Sequence, residues 1–283
     1  MDMKSLHPNN LHNSDYNFTV LKEKYPKIGK FVVEKFGKET IEFSDPVAVK
    51  EFNKALLLAY YNIKYWEFPD TNLCPPVPGR VDYIHYLADL LGNEKNVKVL
   101  DIGTGASCIY PLLGNAVYNW NFIGTDIDAD SLKIAQKNID NNNLGNSIEL
   151  RFQKDETNIL KGLLQPNDSF TAMMCNPPFY KSEEEARGAN RRKSRNLGNN
   201  AVRNFAGNSN ELWYVGGEKA FLHTYLYESS LYPKASKWFT SLVSKKENIK
   251  SLENSSKKLG VTEFKVISMN QGNKVTRIAC WRF

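Results

Sequence analysis

Asn176-Pro177-Pro178-Phe179 sets a side-chain amide, two proline rings and an aromatic ring in consecutive positions directly after the apolar run 169–175, SFTAMMC. Two prolines remove two backbone donors and fix the turn, which leaves carbonyls facing outward as acceptors. An acceptor side chain beside an acceptor carbonyl holds both hydrogens of a planar –NH₂ group, and Phe179 can stack on a flat substrate. Methylating such a nitrogen needs that hold, because its lone pair is delocalised and must be drawn toward the tetrahedral geometry of attack. A second constellation, Asp101-Ile102-Gly103-Thr104-Gly105, also ends an apolar run. Its glycines let the backbone come close to a ligand. Asp126 follows 21–23 residues later, where a carboxylate can accept hydrogen bonds from both ribose hydroxyls of an adenosine-containing cofactor. A dinucleotide and S-adenosylmethionine both carry that nucleoside. The third small residue of a dinucleotide fingerprint falls on Cys108, which counts against a pyrophosphate there.

These groups meet only if a parallel sheet brings its strand ends together. Runs at 97–102, 121–128, 147–153 and 169–175 read as buried strands, with helical spacing at 131–143 between them. Strands at 237–244, 263–269 and 275–283 and a helix at 246–258 complete the sheet. The short connection 270–274 predicts that the final strand runs antiparallel to its neighbour. The expected architecture is therefore α/β, Rossmann-like, with seven mostly parallel strands. In such a sheet ligands bind beyond the carboxyl ends of the strands near the point where strand order reverses, so Asp101, Gly103, Gly105, Asp126 and Asn176 should line one crevice. Residues 1–90 read as a small helical region, with helices around 18–36, 46–65 and 80–92. Residues 91–283 form the main domain, interrupted by the long passage 180–217.

Composition narrows the class. The chain has 283 residues, 41% hydrophobic and 24% charged, and a mean hydropathy of −0.49, values expected of a soluble globular protein. Its longest apolar run, 55–61, is too short to span a membrane, and the first 17 residues carry no secretion signal, so the cytoplasm is the expected location. Cys74, Cys108, Cys175 and Cys280 are scattered, and none of the four histidines sits at metal-ligand spacing. No metal is expected.

The basic segment 187–203 carries Arg187, Arg191, Arg192, Lys193, Arg195 and Arg203 and no acid. Such a stretch cannot pack as core, and binding phosphates relieves its self-repulsion, so it is expected to bind RNA. Residues 1–38 add seven lysines against four acids, a second expected RNA-contacting surface. His7 and His12, near the start of the chain, read as turn or capping residues rather than catalysts, and Trp66 as core.

Asn176-Pro177-Pro178-Phe179 resembles the motif of amino-methyltransferases that use S-adenosylmethionine. Together with Leu6-His7-Pro8-Asn9-Asn10, Cys74-Pro75-Pro76-Val77-Pro78-Gly79-Arg80, Asp101 to Ser107, Arg195-Asn196-Leu197-Gly198, Glu211-Leu212-Trp213, Gly216-Gly217-Glu218 and 238–244, it makes nearly the whole chain resemble the bacterial RlmF family. That resemblance implies a class I fold and methylation of adenine N6 in 23S ribosomal RNA, free or in an assembling large-subunit particle, by a monomer. It implies cofactor contacts from Arg80, Gly103, Gly105, Ser107 and Asp126, and from Thr157 in the loop 153–157. Arg80 can clamp the methionine carboxylate. The target adenine would be unstacked into the pocket, its N6 hydrogens held by Asn176 and the oxygen of Pro177, with Phe179 on the ring. Rivals are a glutamine-N5 methyltransferase of a protein such as a release factor, a non-catalytic RNA-binding protein of the same fold, and a dinucleotide oxidoreductase. The basic segment argues against the first, and intact Gly103, Asp126 and Asn176 against the second. Cys108 and the lack of a hydride-transfer residue argue against the third.

Overall fold

The computed structural model describes residues 5–182, 184–185, 213–271 and 274–283. Its N-terminal part runs through α1 (Phe18–Lys24), a 3₁₀ turn (Pro26–Lys30), the strands β1 (Val32–Lys35) and β2 (Lys38–Ile41), α2 (Pro46–Tyr61) and α3 (Val77–Leu91). The main sheet then begins with β3 (Lys98–Ile102), followed by α4 (Ile109–Tyr118), β4 (Asn121–Asp126), α5 (Ala129–Asn141), β5 (Ile148–Phe152) and β6 (Phe170–Cys175). Further along the chain come α6 (Gly217–Leu231), β7 (Ser236–Val243), α7 (Lys246–Lys258), β8 (Glu263–Gln271) and β9 (Lys274–Arg282).

The large sheet has the order β5-β4-β3-β6-β7-β9-β8. β3, β4, β5, β6 and β7 pair parallel, while β9 lies between β7 and β8 and is antiparallel to both. The expected antiparallel final strand is thus present, inserted one place in from the edge. Strand order reverses beside β3, and there the carboxyl ends of β3, β4 and β6 open onto one crevice. The central strands are buried on both faces, so successive residues enter opposite cores: Met174 joins one cluster and Met173 the other. α2 to α5 cover the first face, and α6 and α7 the second.

The N-terminal region differs from its sequence reading. A helix over 18–36 fails at Pro26, and a hairpin follows whose two-residue turn needs positive φ at both positions, found at Phe36 (54°) and Gly37 (74°). α2 stops at Tyr61 because Asn62 turns left-handed at φ 55°, and α3 starts at Val77, since prolines are tolerated in a first turn. The buried residues of α1, α2 and α3 join the core on one face of the large sheet. α4 packs directly on β4 through Gly114, where an added Cβ would lie 2.4 Å from the ring of Phe122. Gly114 therefore permits the close helix–strand approach that a dinucleotide fingerprint assigns to a residue at position 108. No helix among the described residues is long and apolar enough to cross a membrane.

Candidate active site

The turn after β3 is set by Gly103 and Gly105, with φ of 74° and 63°. The N–H groups of Gly103 and Thr104 donate to the Thr125 oxygen at 2.9 and 2.8 Å, which ties the turn to the end of β4. Gly105 N–H donates to Oδ2 of Asp126 at 2.9 Å, and Asp128 N–H to Oδ1 at 3.0 Å. That carboxylate is thereby held at one height between the glycine turn and the start of α5. Behind the turn, the Asn138 amide donates to the Ala106 oxygen at 3.1 Å and exchanges both bonds with the main chain of Glu67. Trp66 donates its indole N–H to the Ser107 oxygen at 2.8 Å. Trp66 is buried, as its sequence reading required, but it also supports the turn.

One cavity runs from this turn to the end of β6. Arg80, Gly103, Gly105, Ser107, Asp126 and Asn176 all line it, together with Pro178 and Trp213. Arg80 enters from α3, where Nη1 donates to the Tyr110 hydroxyl at 2.8 Å while Nε is buried without a partner. Asn176 extends from β6, and its Oδ1 is likewise buried with no hydrogen-bond partner. Pro177 is buried and Phe179 half-buried; neither is part of the cavity lining. Asp101 lies beneath the glycine turn, 1% exposed, and burial pushes its carboxyl up to about 7.

The wall opposite Asp126 differs from expectation at Thr157. Its hydroxyl donates to Asp155 at 2.6 Å and its N–H at 3.0 Å, so the side chain closes an exposed turn on itself. Gln153, Glu156 and Asn158 line the cavity in its place. This loop is anchored by Glu228 of α6, whose carboxylate accepts from the N–H groups of Ile159, Leu160 and Lys161 at 3.1, 2.6 and 2.8 Å. Glu228, Asn138 and Tyr110 carry no local motif, and only the fold brings them to the site.

His7 and His12 lie away from the cavity. His7 Nδ1 accepts from Asn9 N–H and Nε2 pairs with Asp89 at 2.9 Å, while His12 Nε2 pairs with the Tyr61 hydroxyl at 2.8 Å. Burial lowers the His12 pKa to about 4, so it is neutral at pH 7. Both pin the start of the chain onto α2 and α3. Arg187, Arg191, Arg192, Lys193, Arg195 and Arg203 lie outside the described residues.

A family model described as RNA methyltransferase matches residues 1–283. Ribosomal RNA large subunit methyltransferase F of Flavobacterium johnsoniae is 47% identical over 295 residues, covering 99% of this chain and 93% of that protein. Its namesake in Bacteroides thetaiotaomicron is 45% identical over 303 residues, covering 100% and 99%. Among solved structures, the hMettl16 catalytic domain in complex with MAT2A 3′UTR hairpin 1 superposes with a TM-score of 0.86 at 31% identity, covering 99% of this chain and 96% of that one. The N-terminal domain of human METTL16 in complex with SAH gives 0.78 at 28%, covering 99% of each. A whole-length family match and relatives near half identity, on a sheet whose strand ends gather these residues, mean that the chain belongs to the RNA methyltransferase family that includes ribosomal RNA large subunit methyltransferase F.

Proposed function

We propose that this chain transfers a methyl group from S-adenosylmethionine to N6 of an adenine in large-subunit ribosomal RNA, in the cytoplasm and as a monomer. The observation that carries the reading is the buried, unpartnered Oδ1 of Asn176 in a cavity shared with Arg80 and Asp126. A desolvated acceptor is costly unless a donor arrives, and an amino group supplies one. The names of the relatives support the substrate class, and the SAH complex of a structural neighbour supports the cofactor.

The donor set suits S-adenosylmethionine. Arg80, with its buried unpartnered Nε, would hold the methionine carboxylate with Ser107, and Asp126 the ribose hydroxyls; the glycine turn leaves room for the chain between them. When bound, the cofactor supplies an electrophilic methyl on sulfur and leaves a neutral thioether. Asn176 Oδ1 and the Pro177 oxygen accept the two N6 hydrogens and turn the nitrogen lone pair toward that methyl. Phe179, half-buried beyond the turn, would stack on the base. Catalysis then rests on proximity and orientation. The methylated nitrogen is acidic and gives its proton to water, so neither a strong base nor a metal is required.

The test is transfer of labelled methyl to rRNA from cells lacking this protein, followed by nucleoside analysis. N6-methyladenosine formed by the wild type and not by Asn176→Ala supports the reading. Label on a release-factor glutamine instead would replace it with the amide reading, and cofactor binding without transfer to any substrate would leave an RNA-binding protein.

A further inference from the structure

Besides Arg80 and Asn176, a third side chain lining the cavity keeps a buried polar atom without a partner: the indole Nε1 of Trp213. An indole N–H can only donate, and native interiors rarely leave such a donor unmatched. Its position is fixed by the main chain. Trp213 forms a parallel bridge with Tyr180, the residue directly after Phe179, and Tyr214 N–H donates to the Tyr180 oxygen at 3.0 Å. Gly217 N–H then donates to the Tyr214 oxygen at 2.7 Å, joining this short ladder to the start of α6. Trp213 is thus coupled to the turn that carries Asn176, and the two present one unmatched donor and one unmatched acceptor to the same space.

We propose that Trp213 is a specificity-determining residue for the target base, donating its indole N–H to a ring nitrogen that flanks the amino group. The inference rests on the adenine reading above. Adenine carries an acceptor nitrogen on each side of its amino group, N1 and N7, so a donor beside Asn176 meets an acceptor in either orientation. Guanine in the same pose sets O6 against the Asn176 oxygen, acceptor against acceptor. A site whose buried polar groups are matched by the right base and stranded by the wrong one discriminates strongly. Trp213 therefore reads the ring nitrogen beside the amine, while Asn176 with Pro177 holds and activates the amine itself.

The test uses the full-length protein and large-subunit rRNA joined by splint ligation, with the mapped target adenine replaced by 1-deazaadenine or 7-deazaadenine. Each analogue keeps the amine and exchanges one ring nitrogen for C–H. The wild type should lose roughly tenfold to a hundredfold in kcat/KM on one of the two, which also identifies the nitrogen. Trp213→Phe, which keeps an aromatic ring and loses the N–H together with the pyrrole half of the indole, should show at least a similar loss on ordinary adenine and no further loss on that analogue, with SAH affinity unchanged. Equal wild-type rates on all three RNAs overturn the proposal without need of a variant, as does a Trp213→Phe protein that still discriminates like the wild type. Absence of any adenine methylation by the wild type overturns the adenine reading itself, a result distinct from both.

Discussion

The indole N–H of Trp66 and the main-chain oxygen of Ser107, 41 positions apart in sequence, form a 2.8 Å hydrogen bond buried behind the glycine turn. Through it the extended segment after α2 braces the loop proposed to hold the cofactor carboxylate. Trp66→Phe keeps one aromatic ring, empties the space of the pyrrole half of a buried indole and strands the Ser107 oxygen, so stability should fall by roughly 2–3 kcal/mol. SAH affinity should fall several-fold with it. Calorimetric titration and thermal melts check this together: a lower melting point with unchanged SAH affinity would show that the bond supports the fold but not the site.

Asn176→Ala removes the side-chain acceptor and leaves the Pro177 oxygen. Transfer should fall by roughly a hundredfold or more, the order seen when one preorganised polar group is lost from an active site. SAH binding should stay near the wild-type value, since Arg80 and Asp126 lie toward the glycine turn. Asn176→Asp restores an acceptor and should recover part of the rate. Single-turnover rates compared with SAH dissociation constants separate the two effects; parallel loss of both contradicts the role.

Asn176 and the glycine turn were legible because their chemistry is local: adjacent residues at the end of largely apolar runs such as SFTAMMC, whose strand is buried at every position because both sheet faces are covered. The hairpin at 32–41 was not, because its turn is Phe36-Gly37 and Val32-Val33-Glu34-Lys35 shows no alternation. α4 was hidden by Pro111 and Gly114, two residues that read as breakers, although Pro111 sits in the first turn and Gly114 serves packing. Thr157 was misplaced for a different reason. Asp155 captures it in a local turn, and sequence does not tell which member of a short polar loop faces inward. The supports of the site, Trp66 on Ser107 and Glu228 on 159–161, join residues 41 to 69 positions apart and leave no spacing to read.

Asp101 makes stability depend on pH. Burial raises its carboxyl from 3.8 to about 7, with the Thr104 hydroxyl opposing and the Asp126 charge adding to the shift. A raised acid binds its proton more tightly when folded, so its contribution is complete below about pH 4, declines up to about pH 7 and stays lost above. The full span is about 4 kcal/mol. Asp101→Asn does not titrate, so the stability of the wild type relative to this variant should fall between pH 4 and pH 8. Denaturant melts across that range measure the difference, and a constant offset would contradict a titrating Asp101.

The basic segment should act on RNA alone. Replacing Arg191, Arg192 and Lys193 with alanine removes three of the six positive charges of 187–203. The dependence of log affinity on log salt should become shallower by about two, following counterion release from a single strand. SAH affinity should not change. Filter binding of rRNA across a salt series reads the slope, and an unaltered slope would remove the segment from the interface.

Glu228 supplies one carboxylate to three main-chain donors, the N–H groups of Ile159, Leu160 and Lys161. The same helix, α6, places Phe221 in the cavity lining, its ring 5.3 Å from that of Tyr214, so one rigid element bears on both the wall proposed for the cofactor and the mouth proposed for the substrate. Glu228→Gln is nearly isosteric, yet it turns an N–H₂ toward groups that can only donate and leaves a single oxygen for all three. Because Glu228 is 4% exposed, solvent cannot replace the lost acceptor, and stability should fall by roughly 2–4 kcal/mol. SAH affinity should fall further than Trp66→Phe lowers it, since Gln153, Glu156 and Asn158 lose their anchor. Hydrogen exchange gives the local signature: the amides of 159–161 should exchange faster while those of β3 and β6 keep their protection. Uniform loss of protection would mean that Glu228 stabilises the whole fold and not this wall.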